Sequence, residues 1–156
     1  MPSLPPDTVA RAVLLLKEFE GLQLKAYRCP AGTLTVGWGH TGMDVKEGLV
    51  VSKEQAEALL TADTEAAARD VARLVCTPLS ANEAAALVSF GFNVGAASLA
   101  ESKLLRLLNS GHPRKEVAKQ LAAWNKATVR GQKVELFGLT ARRAREREVL
   151  CRKEQG

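Results

Sequence analysis

Hydrophobic residues near the N-terminus follow the period of a helix. From Val9 to Phe19 they recur every three or four positions, behind a candidate N-cap at Asp7 and ahead of Gly21, which favours a helix stop. The pattern therefore predicts a first helix in this stretch. Glu20 is placed at the C-terminus of that helix.

The following stretch alternates apolar and polar positions, as a strand does. The segments LKAYR and TLTVGWG flank the turn Cys-Pro-Ala-Gly. In the second segment Thr33 and Thr35 share one face, and the leucine and valine that follow them share the other. We predict a short antiparallel hairpin, with a third edge strand near residues 42–50.

Two capping boxes predict two long helices in the middle of the chain. Ser52 with Gln55 opens an Ala-rich helix over residues 52–74, which is long enough to join two lobes. Ser80 with Glu83 opens a second helix, whose segment AAALVSFGF is apolar on nearly every side. This second helix is predicted to be the central buried one.

Three further helices complete the predicted set, over residues 98–109, 113–125 and 140–153, the last opening at Thr140. The segment TVRGQKVELFG before the last helix is predicted to be a loop. No internal repeat or linker interrupts the chain. A mostly helical chain with one small antiparallel sheet near its N-terminus belongs to the α+β class.

The length of 156 residues suits one domain with its own core. We expect a single domain over residues 1–156. Its N-terminal lobe would span about 18–60, and its helical lobe about 75–156 with the first helix packed on it. The helix over residues 52–74 would connect the two lobes.

Composition describes a soluble globular protein, since 46% of the residues are hydrophobic and 25% are charged. The formal charge of +5 and the pI of about 9.3 favour polyanionic surroundings. Nucleic acid, anionic envelope polymers and a negatively charged membrane surface all meet that description. Charge alone does not choose among them.

The three cysteines, Cys29, Cys76 and Cys151, are an odd number at long spacings. They specify neither a disulfide framework nor a metal knuckle, and a reducing compartment is the simpler interpretation. The apolar run near the N-terminus is too short and too soon followed by charges to be a signal or transmembrane segment. We therefore expect synthesis in the cytoplasm and no need for a metal or cofactor.

Three residues form the candidate chemical site. Glu20 faces the negative end of the helix dipole, which favours its protonated, proton-donating form. Cys29 follows nine positions later in the hairpin turn, and Thr35 six positions after that. If the hairpin folds back beside the helix end, the three side chains converge on one cleft. Taken alone, Glu20 could instead be a solvated helix-end charge and Cys29 a plain turn residue.

The segments FEG, AYRCPAGTLTVGWGHT, FNVG, LLRLLN and GLTARRARERE occur in this order along the chain. Their order and spacing resemble the phage-type lysozymes, the endolysins of glycoside hydrolase family 24, over about residues 9–151. The resemblance implies a lysozyme-like fold. It also implies hydrolysis of the β-1,4 bond between N-acetylmuramic acid and N-acetylglucosamine in peptidoglycan.

By this resemblance, Glu20 protonates the glycosidic oxygen, while Cys29 and Thr35 hold the attacking water on the opposite face of the sugar. That is the inverting arrangement, in which about 6.5–9.5 Å between the two groups leaves room for the water. The family places an aspartate, or sometimes a cysteine, where Cys29 stands. With an unperturbed pKa of about 8.5, a thiol is a weaker base than a carboxylate and would mainly orient water.

Further positions are carried over from the family one at a time. Asn93 matches a cleft residue that contacts substrate. Trp38 and Trp124 could stack on sugar rings, although a buried role suits a tryptophan as well. Thr140 matches a helix N-cap close to the substrate. Arg143 matches a basic partner of Glu20, and this ion pair would oppose the effect of the helix dipole.

His40 closes the segment GWGHT, and the resemblance implies a buried histidine paired with an acid on the connecting helix. Asp63 is the best match for that acid. We predict a structural pair of His40 and Asp63 that ties the sheet to the helix over residues 52–74.

Peptidoglycan glycan strands are the partner that the resemblance implies, and we expect a monomer with no nucleic-acid partner. Four arginines on the last predicted helix could attract an anionic envelope surface, or could form a solvated face with internal ion pairs: Arg142, Arg143, Arg145 and Arg147. Without an export segment, the chain would reach the wall through a separate holin-type pore.

Three other functions stay open at this point. The chain could be a wall-binding module that lost catalysis when cysteine replaced aspartate. It could bind nucleic acid, although only the charge supports this. It could also be a lytic transglycosylase, which uses a single glutamate and forms anhydro products.

Overall fold

Residues 3–29 and 31–153 are described by the structure, a computed structural model. These residues form seven helices, two small hairpins and a short 3₁₀ turn that follows the sixth helix. The helices are α1 (Thr8–Phe19), α2 (Lys53–Leu74), α3 (Ala81–Val94), α4 (Ala96–Glu101), α5 (Lys103–Asn109), α6 (Arg114–Lys119) and α7 (Phe137–Cys151), and the strands are β1 (Gln23–Arg28), β2 (Leu34–Gly37), β3 (Lys126–Val129) and β4 (Gln132–Glu135). The predicted α+β class is confirmed.

The first helix ends where the sequence predicts. The backbone N–H of Glu20 donates to the carbonyl of Leu16 at 2.9 Å, and the chain then turns extended. Asp7 occupies the N-cap position, but its side chain makes no capping bond. Its carboxylate instead pairs with Arg11 one turn later, at 2.7 Å.

Both predicted capping boxes are present and set the starts of α2 and α3. The Ser52 hydroxyl accepts from the backbone of Gln55 at 3.1 Å, and the Gln55 side chain accepts from the Ser52 backbone at 2.8 Å. Ser80 and Glu83 repeat the arrangement with the same two distances. These reciprocal bonds satisfy donors that a helix start would otherwise leave unpaired.

The N-terminal hairpin pairs β1 with β2 in antiparallel register, with Tyr27 opposite Thr35. The predicted third strand over residues 42–50 is wrong. Only an isolated bridge joins Lys25 to Val50, because the segment is folded into turns with glycines at positive φ, among them Gly48 at +82°.

The predicted loop before the last helix is also wrong, since it forms the second hairpin. Strands β3 and β4 pair antiparallel around Arg130 and Gly131, whose φ angles are +52° and +80°. Two consecutive positive φ angles are typical of the tight turns that match strand twist. The alternation in the two four-residue strands is too short to distinguish from a loop by sequence.

Helix boundaries in the C-terminal half differ from the prediction. The helix over residues 98–109 is split by Ser102, whose hydroxyl caps α5 by accepting from the backbone of Leu105 at 3.1 Å. The helix over residues 113–125 is α6 followed by the 3₁₀ turn Gln120–Ala123. The last helix begins at Phe137 instead of Thr140.

The buried hydrophobic residues form two clusters, and α2 contributes to both. Ala56 and Leu60 pack in the smaller core under the N-terminal hairpin. Val71, further along α2, packs in the larger core around α3. Phe92 near the end of α3 packs against both cores. In the described ranges, none of the helices has the combined length and hydropathy that crossing a membrane requires.

Candidate active site

A cleft of about 550 Å³ opens between the N-terminal hairpin and the C-terminal half of the chain. The end of α1, the hairpin, the end of α3 and the β3 region all contribute to its walls. Glu20, Cys29 and Thr35 line this one cleft, as the spacing of the three residues predicts. Asn93 lines the same cleft from α3, also as predicted.

The carboxylate of Glu20 is held in the cleft wall from two sides. Its Oε1 accepts from Nη1 of Arg142 at 2.9 Å, and the side chain retains 22% exposure. On the other side lies Gly39, where an added β-carbon would meet the carboxylate carbon at 2.9 Å. The position also has a φ of +78°, which disfavours other residues. Only glycine leaves room for the carboxylate here.

The predicted ion pair between Arg143 and Glu20 is wrong, since the neighbouring Arg142 makes it. Successive residues on a helix point about 100° apart, so adjacent arginines reach different partners. Arg143 instead donates from Nη2 to Oδ1 of Asn93 at 2.9 Å. Its Nε lies 2.7 Å from Oε1 of Glu146.

Arg142, Arg143 and Glu146 form a charged cluster inside the protein, with side-chain exposures of 4%, 2% and 0%. Ser89 donates its hydroxyl to Oε2 of Glu146 at 2.6 Å. Burial raises the pKa of Glu146, against the effect of the two arginines. Burial also lowers the pKa of Arg143 to about 10.

This burial corrects the predicted basic surface on the last helix. Arg142 and Arg143 are internal and cannot contact an envelope polymer. Arg145 is paired with Glu18 at 2.9 Å and with an acid on its own helix. Of the four arginines, Arg147 is the exposed one with no ion pair among the described residues.

Cys29 starts the hairpin turn, and its backbone N–H donates to the carbonyl of Thr33 at 3.0 Å. The hydroxyl of Thr35 donates to the same carbonyl at 3.0 Å. Burial by itself would raise the pKa of Cys29. Hydrogen bonds in the turn, first those from the backbone of Thr33 and Ala31, outweigh burial, so the pKa of Cys29 lies below its usual value. This differs from the unperturbed thiol expected from sequence.

His40 makes the predicted pair with Asp63, with 2.7 Å between Nδ1 and Oδ2. Its Nε2 lies 3.0 Å from Oδ2 of Asp44, a second partner that sequence reasoning missed. Burial would lower the pKa of His40, but the hydrogen bonds and charges of the two aspartates raise it overall. Asp44 follows His40 by four positions, and a carboxylate at that spacing is the signal that could have found it.

Two predicted substrate contacts lie elsewhere. Trp38 is 8% exposed in the smaller core, with Nζ of Lys17 4.6 Å from its ring centroid, so it cannot stack on a sugar in the cleft. Thr140 is neither an N-cap nor a cleft residue, since it lies inside the first turn of α7. Its hydroxyl donates to the carbonyl of Leu136 at 3.3 Å and accepts from Asn125 at 3.2 Å.

Tyr27 and Lys126 line the cleft and were missed by the sequence analysis, which did consider Trp124. Tyr27 on β1 lies opposite Thr35, and strand pairing places both on one face. Burial raises the pKa of Tyr27, with further contributions from Glu20 and Cys29. Trp124 lines the cleft and makes an edge-to-face contact with the buried Phe90, with 5.5 Å between the ring centroids. Lys126 on β3 is the one cation that lines the cleft among the described residues.

Within residues 3–29 and 31–153, no group of three histidine, cysteine or acidic side chains is arranged to hold a metal ion. The three cysteines are free thiols. The cleft therefore presents one carboxylate, one thiol, hydroxyl groups, an amide and a lysine to a ligand. This set is suited to proton transfer and to binding neutral polar molecules.

Comparison with known proteins gives consistent matches. The family model described as Phage lysozyme matches residues 17–146. An endolysin from Acyrthosiphon pisum secondary endosymbiont phage 1 is 37% identical over 140 residues, which are 90% of this chain and 94% of the relative. An endolysin from Salmonella phage P22 is 34% identical over 145 residues, covering 90% of this chain and 95% of the relative.

Solved structures match as well. The muramidase domain of SpmX from Asticaccaulis excentricus superposes with a TM-score of 0.82 at 39% identity, covering 91% of this chain and 95% of that domain. An endolysin from Escherichia coli O157:H7 phage FAHEc1 superposes with a TM-score of 0.82 at 36% identity, covering 90% of each chain.

Proposed function

This chain belongs to the phage lysozyme family, and on that premise we propose that Glu20, Cys29 and Thr35 form the site of an endolysin with muramidase activity. The lysozyme family to which it belongs hydrolyses glycosidic bonds of peptidoglycan in host lysis. The bond cleaved would be the β-1,4 bond between N-acetylmuramic acid and N-acetylglucosamine. The observation that supports these residues most directly is their convergence on one open cleft.

Glu20 would act as the general acid. A glycan in the cleft removes water from its carboxylate, which favours the protonated form, while Arg142 at 2.9 Å opposes it. The proton moves to the glycosidic oxygen as the bond from the anomeric carbon to that oxygen breaks. Arg142 then stabilises the carboxylate that remains.

Cys29 and Thr35 would hold the water that attacks the anomeric carbon from the opposite face. The lowered pKa of Cys29 makes its thiolate more available to accept the water proton. Thr35 is 4% exposed and its hydroxyl is bonded to the hairpin backbone, so it offers a fixed oxygen to the water. One water is consumed, its hydroxyl ends on the anomeric carbon, and the configuration inverts.

Asn93 would bind the sugar beside these groups. Its Oδ1 is occupied by Arg143 at 2.9 Å, which leaves the amide N–H groups available to donate toward the cleft. The pair of His40 and Asp63 has a supporting role, since it joins the end of β2 to α2 and so holds the hairpin wall.

The test is release of reducing ends from purified peptidoglycan, with Glu20→Gln and Cys29→Ser compared with the unaltered chain. Glu20→Gln should reduce the rate by about 100-fold or more, as removal of a general acid does. Glu18→Gln, on the same helix but facing Arg145, is the matched control and should keep the rate. Equal rates for Glu20→Gln and the unaltered chain would contradict the proposal.

Mass spectrometry of the released fragments separates the remaining alternatives. Hydrolysis leaves a reducing N-acetylmuramic acid, whereas a lytic transglycosylase leaves its anhydro form. A wall-binding module would associate with peptidoglycan and release neither product. We expect the unaltered chain to release fragments with reducing ends and Glu20→Gln to release almost none.

The route to the wall and the partners are further parts of the proposal. We expect a monomer that is made in the host cytoplasm and crosses the inner membrane through a holin-type pore. Some relatives carry the name SAR-endolysin, for example that of Bacteriophage PS119, of which this chain covers 75%. Expression in a host without a holin should leave the cells intact, and lysis without any pore would contradict this route.

Any contact with anionic envelope polymers would rely on Arg147 beside Lys115 and Lys119, which line one surface groove.

A further inference from the structure

Glu146 is a fully buried carboxylate that the proposed reaction does not use. It is 0% exposed, yet it shares an arginine with the residue proposed as the acid. Arg142 reaches Glu20 with Nη1 at 2.9 Å and Glu146 with Nε at 3.4 Å. The backbone carbonyl of Ser89 accepts from its Nη2 at 3.1 Å. Arg142 thus connects two carboxylates, one in the cleft and one in the protein interior.

We propose that Glu146 is a positioning residue that controls how readily Glu20 takes up a proton, because it competes with Glu20 for the positive charge of Arg142 and Arg143. This inference rests on the proposed function, in which Glu20 is the proton donor. Glu146 touches neither the cleft nor the substrate. It acts through the two arginines only.

The charge balance of the cluster is the physical basis. Two arginines and two carboxylates sum to zero when both acids are ionised, and three of the four side chains are at most 4% exposed. Screening by solvent is weak at such burial, so each charge is felt by the others. If Glu146 is neutral, the field of both arginines acts on Glu20 and opposes its protonation. If the positive charge at residue 143 is removed, the negative charge of Glu146 is no longer offset by its closest partner. That charge then favours protonation of Glu20.

Other charged groups face Glu20 from outside this cluster. Tyr27 and Cys29 lie on the side of the N-terminal hairpin, and Lys126 lines the opposite wall of the cleft. None of them contacts Glu146, so changes at residue 146 leave them in place. On α7 itself, Arg145 and Glu148 pair with each other and with residues at the surface.

The experiment measures the pH dependence of wall hydrolysis in Glu146→Gln, Arg143→Gln and the double variant. General-acid activity falls as Glu20 loses its proton, so the alkaline limb of the profile reports on Glu20. Glu146→Gln should move that limb to lower pH by roughly 0.5–1.5 units, and Arg143→Gln should move it to higher pH. The double variant, whose cluster is again neutral, should return close to the original position.

Glu148→Gln is the matched control, since it makes the same substitution on the same helix at an exposed carboxylate that contacts neither Arg142 nor Arg143. The alkaline limb of the pH profile of Glu148→Gln should not move. Arg143→Gln also loses the contact with Asn93, which affects the height of the profile but not the position of the limb. Should Glu146→Gln not fold, the shift of the alkaline limb in Arg143→Gln and its return in the double variant decide the question.

Carbon NMR of the Glu20 carboxyl, titrated in the same variants, provides a readout that does not need activity. Opposite displacements of the Glu20 titration in the two single variants support the inference. If these displacements occur in a chain that releases no reducing ends, the proposed function fails and the coupling stands. An unmoved Glu20 titration in the folded variants, or displacement of both in one direction, overturns the inference.

Discussion

Glu20 and Gly39 are in such close approach that a β-carbon on Gly39 would lie 2.9 Å from the carboxylate carbon of Glu20. A β-carbon does not approach a non-bonded heavy atom so closely, so one of the two groups would have to move. The glycine therefore helps to define where the proposed proton donor stands. Its position in the segment GWGH places it directly before His40, which is itself fixed by Asp63.

Gly39→Ala should reduce wall hydrolysis by about 10- to 100-fold, because it displaces the Glu20 carboxylate from the cleft wall. Gly48→Ala is the matched control, since Gly48 has a similar φ of +82° but no atom within 4 Å of an added β-carbon. Both variants should lose about 1 kcal/mol of unfolding free energy from backbone strain. Reducing-end release and urea unfolding separate the two effects, and equal activities of the two variants would contradict this role of Gly39.

Thr35→Val should abolish most activity while the fold persists, since valine keeps the shape of the side chain and removes the hydroxyl. The hydroxyl donates to the backbone of Thr33 at 3.0 Å, and its loss should reduce the unfolding free energy by about 1 kcal/mol. Thr35→Ser keeps the hydroxyl and should retain most of the rate. A Thr35→Val enzyme as active as Thr35→Ser would remove the hydroxyl from the mechanism.

Cys29 should react with iodoacetamide at lower pH than an ordinary cysteine, because hydrogen bonds in the turn lower its pKa. Modification should stop wall hydrolysis, since the added group removes the free thiol and occupies the place of the water beside it. The variant with Cys76→Ser and Cys151→Ser carries Cys29 alone and should be as active as the unaltered chain before treatment. Full activity after mass spectrometry verifies modification of Cys29 would exclude the thiol from the reaction.

The His40 network should stabilise the fold more at low pH than at high pH. Its pKa is raised in the folded protein, so the stabilisation is fully present below the unfolded pKa of about 6.5 and is lost as the pH rises through the folded value. Comparison of the unaltered chain with His40→Gln by urea unfolding should give a difference in unfolding free energy that is larger at pH 5.5 than at pH 8.5. A difference that grows toward high pH would reverse the sign of this linkage.

Local patterns were sufficient for the parts of the fold that short-range interactions control. The capping boxes at Ser52 and Ser80 place the starts of α2 and α3, because each box satisfies its own backbone donors within four residues. The alternation of apolar and polar residues around the turn at Cys29 predicts the first hairpin, because its strands pair with residues close in sequence. The hairpin over residues 126–135 was not predicted, since two four-residue strands carry too little alternation to differ from a loop.

The first hairpin, the two long capped helices, the family and the three residues that meet in the cleft follow from the sequence alone. Their spacing of nine and six positions is a property of the chain. Packing of the elements against one another settles which of two adjacent arginines reaches Glu20, and it buries Trp38 in a core and Glu146 with both arginines. Each of these depends on the rotation and burial of one helix or strand against another. Adjacent side chains on a helix point about 100° apart, and the sequence of α7 does not show which of the two directions faces Glu20.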